Sequence, residues 1–332
     1  MKDTIAIVLA AGRGTRMKSD VPKALHEILG KPIICHVLST IREAGVKDIM
    51  VVTGYGSPEI KKAISPTRTF LQKKLLGSGD AVNTARSALK DFEGNVLVVC
   101  GDTPLLKART LRGLVLKHKT SGASATVLTV DLKDPAGYGR ILRDDEGRLL
   151  KIVEEGDAAL YEKVISEINV GTYCFRAGDL FQALSEVKAD NSKKEYYLTD
   201  VIGILNGKKK TIESLKTEDA DEALGVNTRK DLAQAASRLK KRVLEDLMAS
   251  GVTIEDPAST VIYPDVRIGR DTVIRPNTVI ESDVDIGAGC SIGPFTRIRP
   301  AVRISDGAEV GNFVELVRTS VGAGSKIKHH TY

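Results

Sequence analysis

The chain has 332 residues, of which 42% are hydrophobic and 28% are charged, and its net charge is +6. Because one hydrophobic core rarely serves so long a chain, this composition predicts a globular protein with two domains. Aromatic residues make up only 4% of the chain and are not interleaved with a basic stripe, so we expect no nucleic-acid partner. The mild positive charge suits anionic small molecules.

The cysteines and the amino-terminal segment exclude further classes of protein. Cys35, Cys100, Cys174 and Cys290 lie far apart without a CxxC pair, so they predict neither a zinc site nor a disulfide framework. The apolar run in "MKDTIAIVLAAG" is too short for a signal peptide, and no segment is long enough to span a bilayer. We therefore expect a cytoplasmic protein without a membrane partner.

Short aliphatic runs alternate with helical patterns over residues 1–228. Strands are predicted in "TIAIVLA", "DIMVVTG" and "NVLVVCGD", and a helix is predicted in "ICHVLSTIREAG". This alternation predicts an α/β domain with a Rossmann-like, mostly parallel sheet covered by helices on both faces. Over residues 229–250, apolar side chains recur at three- and four-residue steps between charges, which predicts a linker helix.

A six-residue period follows, over residues 251–332. The aliphatic residues at every sixth position are Ile262, Ile268, Ile274, Ile280, Ile286, Ile292, Ile298, Ile304, Val310 and Leu316. Each hexad supplies one short strand and one corner, as in a parallel β-helix. Because no long loop interrupts the register, we expect the left-handed form.

Glycines and charged residues follow the predicted strands at their carboxyl ends, where open parallel sheets bind ligands. The motif "LAAGRGTRM" contains Arg16 and is followed by Lys23. It matches neither GxGxxG nor GxxxxGK[ST], so by itself it indicates a tight turn as readily as a phosphate site. Asp102, in "VLVVCGDTPLL", suits Mg²⁺, which prefers oxygen ligands; an aspartate that caps the next helix is an equal alternative.

Together these motifs resemble one family. "LAAGRGTRM" with Lys23, "LGSGDA", "GDTPLL", "GYGRI", "EINVG", "EYYLTD" and "GVNTR" occur in the order found in bacterial N-acetylglucosamine-1-phosphate uridyltransferases. Those enzymes are bifunctional and also carry a glucosamine-1-phosphate acetyltransferase in a hexapeptide β-helix. The resemblance covers nearly the whole chain. It implies a nucleotidyltransferase domain, a linker helix and a shortened left-handed β-helix.

The resemblance also implies a role for each motif. The implied catalytic cations are Arg16 and Lys23, and the implied Mg²⁺ ligands are Asp102 and Asn227. The residues implied for the uridine nucleotide are Leu9, Ala10, Ala11, Gly12, Gln72, Gly77 and Ser78. The residues implied for the N-acetylglucosamine moiety are Gly139, Glu154, Asn169, Tyr197 and Thr199. The implied reaction transfers UMP from UTP to N-acetylglucosamine 1-phosphate and releases pyrophosphate, and positioning and cations supply the catalysis.

The β-helix departs from the family pattern. Arg299, His329 and Tyr332 match acetyltransferase positions, but Val317 stands where the family has a lysine for the sugar phosphate. The family's further coils, which bind acetyl-CoA, do not follow in this sequence. We therefore expect no acetyltransferase activity, and we interpret His329 as part of a polar tail. Because the family assembles through its β-helices, the resemblance implies a homotrimer.

Two alternatives remain open. One is another sugar-1-phosphate nucleotidyltransferase, which would use thymidine or guanosine nucleotides with glucose or mannose; "LGSGDA" and "EINVG" argue against it. The other is a scaffold protein that binds nucleotide sugars without turning them over. The presence of every charged residue expected at the first site argues against that alternative.

Overall fold

The structure is a computed structural model that describes residue 1 and residues 3–331. Two compact units are present. The first comprises Met1–His26 and Pro32–Asp231, and the second comprises Glu27–Lys31 and the chain from Leu232 onward. Within the described residues, no helix is both long enough and apolar enough to cross a bilayer.

The strands up to residue 216 belong to one mixed sheet, apart from a separate short ladder formed by β2 and β3. In chain order they are β1 (Thr4–Ala10), β2 (Glu27–Ile28), β3 (Lys31–Pro32), β4 (Asp48–Thr53), β5 (Arg68–Leu71), β6 (Asn95–Cys100), β7 (Ala125–Asp131), β8 (Arg140–Arg143), β9 (Leu149–Val153), β10 (Glu167–Arg176) and β11 (Ile212–Lys216). The aliphatic runs that predict strands in the sequence are β1, β4 and β6.

The strand order is β11-β7-β10-β6-β1-β4-β5, so β1 lies inside the sheet. β1 pairs in parallel with β4 on one side and with β6 on the other. The chain therefore changes its direction of progress across the sheet at β1. In sheets of this kind, ligands bind in the crevice outside the carboxyl ends of the strands at that reversal. Here the crevice follows Ala10 and Cys100.

Helices pack on both faces of this sheet. They are α1 (Ile33–Glu43), α2 (Ser57–Ala63), α3 (Ser78–Thr84), α4 (Ala108–Ser121), α5 (Leu160–Lys163), α6 (Ala177–Leu184) and α7 (Asp200–Gly207). The next helix, α8 (Arg229–Ala249), contributes Leu244 to the core of the second unit. Alternate residues of a strand point to opposite faces. Accordingly, Ile5 and Ile7 of β1 pack in one apolar cluster with α3 and α6, whereas Ala6 and Val8 pack in another with α1 and α4. The predicted α/β fold is confirmed.

Two strands, β9 and β10, run against the others. β10 is antiparallel to β6 and β7, and the hairpin formed by β8 and β9 continues from it. The pairing of β10 with β7 is interrupted between Asn169 and Tyr173, where Gly171 has a φ of 80°. A positive φ is accessible to glycine without steric cost. The interruption places Asn169 beside the crevice, and the sequence does not reveal this strand direction.

The second unit is a parallel β-helix. Its strands are β12 (Thr253–Ile254), β13 (Val261–Ile262), β14 (Arg267–Ile268), β15 (Val273–Ile274), β16 (Val279–Ile280), β17 (Val284–Ile286), β18 (Ser291–Ile292), β19 (Arg297–Ile298), β20 (Val302–Ile304), β21 (Glu309–Val310), β22 (Glu315–Leu316), β23 (Ser320–Val321) and β24 (Lys326–Ile327). They stack in three parallel ladders, and the inward aliphatic side chains form a continuous core. The left-handed β-helix predicted from the hexads is confirmed.

The corners of the β-helix recur at the same six-residue interval. Asp271, Asn277 and Asp283 all have positive φ values, between 57° and 62°. Most neighbouring coils pair residues that are 18 positions apart, as Val273 does with Ser291. The last coil is one residue shorter, because Arg303 pairs with Ser320.

Candidate active site

A pocket of about 390 Å³ lies at the carboxyl ends of β1 and β6. All seven residues predicted for the nucleotide line it, and Lys23 and Asp102 line it as well. The further lining residues, which the sequence did not single out, are Arg13, Ala24, Leu75, Ala81, Cys100, Gly101 and Glu195. Arg13 lies inside the first glycine motif, so counting every cation in that motif would have found it.

Gly14 of the first motif packs against Lys23, which lines this pocket. Gly14 has a φ of 64°, and a Cβ atom there would lie 2.6 Å from Cβ of Lys23. Real Cβ atoms do not approach so closely, so glycine is what lets the Lys23 stem pack against the loop. Arg16 lies on the short turn Thr15–Met17 and is exposed, and in the described structure it does not line the pocket. Of the two predicted catalytic cations, only Lys23 is therefore placed at the pocket.

Lys23 joins the two predicted metal ligands. Its Nζ atom contacts Oδ2 of Asp102 and donates to Oδ1 of Asn227 at 3.0 Å. The backbone N–H of Val226 donates to the Asp102 carbonyl at 2.8 Å. This hydrogen bond holds the loop that carries Asn227 next to the loop that follows β6. Two oxygen atoms from distant parts of the chain thus converge on one cation.

This pair of oxygens fits a divalent ion of the Mg²⁺ type. Mg²⁺ is commonly held by one or two protein oxygens, and water and substrate phosphates complete its shell. The ammonium group of Lys23 shows that the two oxygens reach a common cationic centre. Among residue 1 and residues 3–331, no group of three His, Cys, Asp or Glu side chains is placed to form an all-protein metal site.

Four of the five residues predicted for the sugar form a second group. Thr199 donates to Oε1 of Glu154 at 3.0 Å, and a Cβ atom on Gly139 would lie 3.6 Å from Oε2 of the same carboxylate. Asn169 donates its backbone N–H to the carbonyl of Gly139 at 2.9 Å. Burial raises the pKa of Glu154 above its usual value, although the Thr199 hydroxyl acts in the opposite direction.

Tyr197 is the fifth predicted sugar residue, and its hydroxyl is engaged elsewhere. The side chain is buried, and its hydroxyl group hydrogen-bonds with Ser192. Burial, together with the nearby charge of Asp157, raises the pKa of Tyr197 to about 12. Tyr197 therefore packs beside the group of Gly139, Glu154, Asn169 and Thr199, with its polar atom directed to another partner.

The pocket adjoins the residues predicted for the sugar at Cys100. Burial raises the pKa of the Cys100 thiol to about 12, and the charges of Asp102 and Glu154 both raise it further. Cys100 also lines the pocket. Its Sγ atom donates to the Gly171 carbonyl at 3.4 Å, and the N–H of Gly171 donates to Oδ1 of Asn169 at 3.0 Å, so Cys100 connects the pocket to the residues around Glu154.

The segment Glu195–Thr199 connects the two halves of the site. Tyr196 donates its N–H to the Leu76 carbonyl at 2.7 Å and accepts from the N–H of Gly79 at 2.8 Å. Oγ of Ser78 accepts from the N–H of Leu198 at 3.0 Å. Thr199, at the end of the same segment, contacts Glu154.

The second unit has a larger cavity of about 850 Å³, which is lined partly by Arg299 and Val317. Arg299 pairs with Glu315 at 3.4 Å. His330 stacks on Phe313 with ring centroids 5.2 Å apart. Tyr332, the third implied acetyltransferase position, lies outside the described residues.

Comparison with known proteins identifies the first unit. Residues 6–197 match the family described as the MobA-like NTP transferase domain. The chain belongs to this family. Its nucleotidyltransferase fold and the strand order described above agree with that membership.

Three bacterial relatives are named "Bifunctional protein GlmU". The chain is 48% identical over 275 residues to the protein of Pelotomaculum thermopropionicum, 46% identical over 278 residues to that of Shouchella clausii, and 47% identical over 277 residues to that of Halalkalibacterium halodurans. These alignments cover 82% to 83% of this chain and 60% to 61% of each relative. The resemblance drawn from the motifs is confirmed, and the chain spans about 60% of the length of these relatives.

Proposed function

We propose that the chain transfers UMP from UTP to N-acetylglucosamine 1-phosphate and releases pyrophosphate, with Mg²⁺ as the cofactor. One observation carries the proposal. The Lys23 ammonium, with Asp102 and Asn227, lies where the pocket lined by the predicted nucleotide residues meets the group around Glu154. Two phosphate-bearing substrates, one on each side, would meet at this cationic centre.

The reaction needs little proton chemistry from the protein. An ionised oxygen of the sugar phosphate attacks the α-phosphorus of UTP, a new P–O bond forms, and the bond from that phosphorus to the pyrophosphate oxygen breaks. Because the attacking oxygen is already ionised at neutral pH, no general base is required. The described residues that line the pocket accordingly include no histidine. The barrier comes from the approach of two anions and from charge that grows on the leaving pyrophosphate.

Cations therefore carry the catalysis in this proposal. Lys23 would compensate charge on the phosphates, and Arg13 would add positive charge at the pocket. The catalytic role of Arg16, which does not line the pocket, rests on the family resemblance alone. Asp102 and Asn227 would hold Mg²⁺. When bound there, the metal would supply positive charge to the phosphate groups. If Asp102 held a divalent ion, it would no longer need Lys23 as its counter-ion. The Lys23 ammonium would then be available to bind phosphate.

The sugar would be selected by neutral and anionic hydrogen-bonding groups around Glu154, on the side of the site away from the nucleotide residues. The Glu154 carboxylate can accept from sugar hydroxyls, and Thr199 holds it in place. The Asn169 amide is fixed internally, since Nδ2 donates to Tyr173 at 2.6 Å and Oδ1 accepts from the N–H of Gly171 at 3.0 Å. A rigid amide and a half-buried carboxylate favour a ligand with matching hydroxyl and amide groups.

The test compares every combination of a nucleotide and a sugar phosphate. The purified chain is incubated with UTP, TTP, GTP or CTP and with N-acetylglucosamine, glucose or mannose 1-phosphate, and pyrophosphate release is measured with Mg²⁺ and with EDTA. We expect the fastest release from UTP with N-acetylglucosamine 1-phosphate, and none with EDTA. A faster reaction with another pair would reassign the substrates. Tight binding of UDP-N-acetylglucosamine without any pyrophosphate release would favour the scaffold alternative.

We propose no acetyl transfer to glucosamine 1-phosphate by this chain. Val317 stands at the position where the family resemblance expects a lysine, and an aliphatic side chain cannot pair with phosphate. Thiol release from acetyl-CoA with glucosamine 1-phosphate would contradict this proposal. The homotrimer implied by the resemblance is likewise a proposal, and light scattering after size-exclusion chromatography tests it.

A further inference from the structure

The amide of Gln72 is held in one orientation at the wall of the nucleotide pocket. Gln72 follows β5, is only 5% exposed, and donates its backbone N–H to the Thr53 carbonyl at 2.8 Å. Its side-chain Nε2 donates to the Gly77 carbonyl at 3.1 Å and to Oδ2 of Asp80 at 2.7 Å. The side chain is therefore fixed at both its backbone and its amide end.

The chemistry of these two partners decides which amide atom is the nitrogen. A carbonyl oxygen and a carboxylate oxygen are acceptors only, so both must face the NH₂ group of the glutamine. A flipped amide would place its oxygen against two other oxygens. Both amide hydrogens are consequently used inside the protein. Oε1, an acceptor, is the polar atom that the Gln72 side chain can offer to a ligand in the pocket.

We infer that Asp80, acting through Gln72, makes the pocket select UTP over CTP. This inference rests on the proposed function, in which the nucleotide base lies against Gln72. Uracil carries a hydrogen on N3 and can donate it to Oε1. Cytosine has an unprotonated N3, so two acceptors would face each other and a buried acceptor would be left without a partner. Thymine and guanine also carry an N–H on this edge. The Gln72 acceptor therefore discriminates UTP from CTP, and discrimination against TTP and GTP must come from other contacts.

Asp80 is the residue on which this selection depends. It lies in the first turn of α3 and accepts at the shorter of the two distances. Hydrogen bonds to charged groups are stronger than neutral ones, so the carboxylate holds the amide more firmly than the Gly77 carbonyl does. An asparagine at position 80 has an NH₂ group of its own and can donate to a flipped Gln72. Asp80 is thus a positioning residue that acts on the base through Gln72.

The glycine motif fixes the second partner. Gly77 has a φ of 111°, and a Cβ atom there would lie 2.5 Å from the Tyr196 carbonyl oxygen. The loop can adopt this path only with glycine. The path directs the Gly77 carbonyl to Gln72 while the segment that contains Tyr196 packs against the loop. The orientation of the Gln72 amide is therefore built into the fold of the loop.

The experiment compares Asp80→Asn and Asp80→Ala with the unaltered chain. Binding of UTP and of CTP is measured by calorimetry without sugar phosphate, and kcat/KM for both nucleotides is measured by pyrophosphate release. We expect the UTP-to-CTP ratio to fall about tenfold in Asp80→Asn, because a charge-assisted hydrogen bond that holds the amide is lost. The fall should come mainly from stronger CTP binding. Asp80→Ala, which removes the acceptor without adding a donor, should show a smaller fall in the same direction.

Two further variants separate selection from general damage. Asp91→Asn removes an exposed carboxylate elsewhere in the same unit and should leave the ratio unchanged. Gln72→Met removes the acceptor that faces the base, and adding Asp80→Asn to it should change the ratio no further. If Asp80→Asn lowers the ratio equally in both backgrounds, Asp80 does not act through Gln72 and the inference is wrong.

The outcomes also distinguish this inference from the proposed function. If the unaltered chain binds UTP more tightly than CTP and Asp80→Asn has the same UTP-to-CTP ratio, the inference is overturned. The proposed transfer reaction is not affected by that result. If no nucleotide gives pyrophosphate but the binding preference shifts as expected in the variants, the transfer reaction is wrong and the inference stands.

Discussion

Replacing Lys23 with methionine tests the cationic centre most directly. Methionine keeps an apolar stem to pack against Gly14 and removes only the ammonium, whose side chain is 16% exposed and contacts Asp102. Two unit charges about 4 Å apart interact by about 4 kcal/mol at an effective dielectric constant of about 20. If all of that stabilises the transition state, its loss slows turnover by about 10³-fold. Measured losses for single preorganised donors are roughly 10²–10³-fold. We therefore expect kcat to fall within that range.

The same variant should bind a divalent ion more tightly in the absence of nucleotide. Lys23 occupies the two oxygens of Asp102 and Asn227 in the structure, so it competes with a metal for them. The concentration of free Mn²⁺ can be measured by electron paramagnetic resonance during a titration that contains no substrate. We expect a lower dissociation constant for Mn²⁺ in Lys23→Met than in the unaltered chain.

A matched control is available in the same unit. Lys107 contacts Asp219, and the two side chains are 26% and 28% exposed, so Lys107→Met removes a comparable ion pair away from the pocket. It should leave both turnover and Mn²⁺ binding unchanged. Turnover of Lys23→Met within a few-fold of the unaltered chain would remove Lys23 from the mechanism. Weaker Mn²⁺ binding in that variant would show that the lysine supports the metal site instead of competing for it.

Three further predictions concern other parts of the molecule. Thr199→Val leaves the half-buried Glu154 carboxylate without its hydroxyl partner, so KM for the sugar phosphate should rise severalfold while KM for UTP changes little. Burial raises the pKa of Asp200 to about 6, above its value of 3.8 in the unfolded chain. Between pH 3.8 and about 6, the carboxyl group therefore stays protonated in the folded state and is ionised in the unfolded state. Stability conferred by this group is therefore lost as pH rises from about 4 to 6, and Asp200→Asn should show a smaller fall in Tm across that window; equal falls would contradict the assignment. Ile292→Ala, in the core of the β-helix, should cost about 2–5 kcal/mol of unfolding free energy in urea, and a cost below about 1 kcal/mol would mean that the core collapses around the site.

The β-helix could be predicted almost completely because its pattern is local. An inward aliphatic side chain every sixth residue needs no knowledge of distant contacts, and all three ladders follow from that interval. The pattern does not show that Glu27–Lys31 belongs to the same unit. Gly30 has a φ of 72°, and a Cβ atom there would lie 2.2 Å from the Tyr263 ring, so this assignment depends on a contact between distant parts of the chain.

The α/β domain was less completely predictable. Buried aliphatic runs identify β1, β4 and β6, because strands covered on both faces are apolar throughout. An apolar run carries no sign of its direction, and so β10 could not be recognised as antiparallel. That direction depends on the residues opposite it in β6 and β7, which lie tens of positions away in the sequence.

The site shows the same limit. Lys23, Asp102 and Asn227 are separated by 79 and 204 positions, and each had an ordinary structural explanation by itself. The fold brings these three together at the pocket. Glu195 was missed because nothing in "EYYLTD" marks its carboxylate as facing a ligand.

The segment from Tyr196 to Thr199 has a thermodynamic consequence. One end of it is hydrogen-bonded to the loop that would hold the base, and the other end to the carboxylate that would hold the sugar. A ligand that shifts this segment alters the free energy of filling the opposite half. Linkage requires that any factor by which UTP changes the affinity for the sugar phosphate is returned unchanged in the other direction. Any coupling between the affinities for the two substrates would then pass through a stretch of four residues.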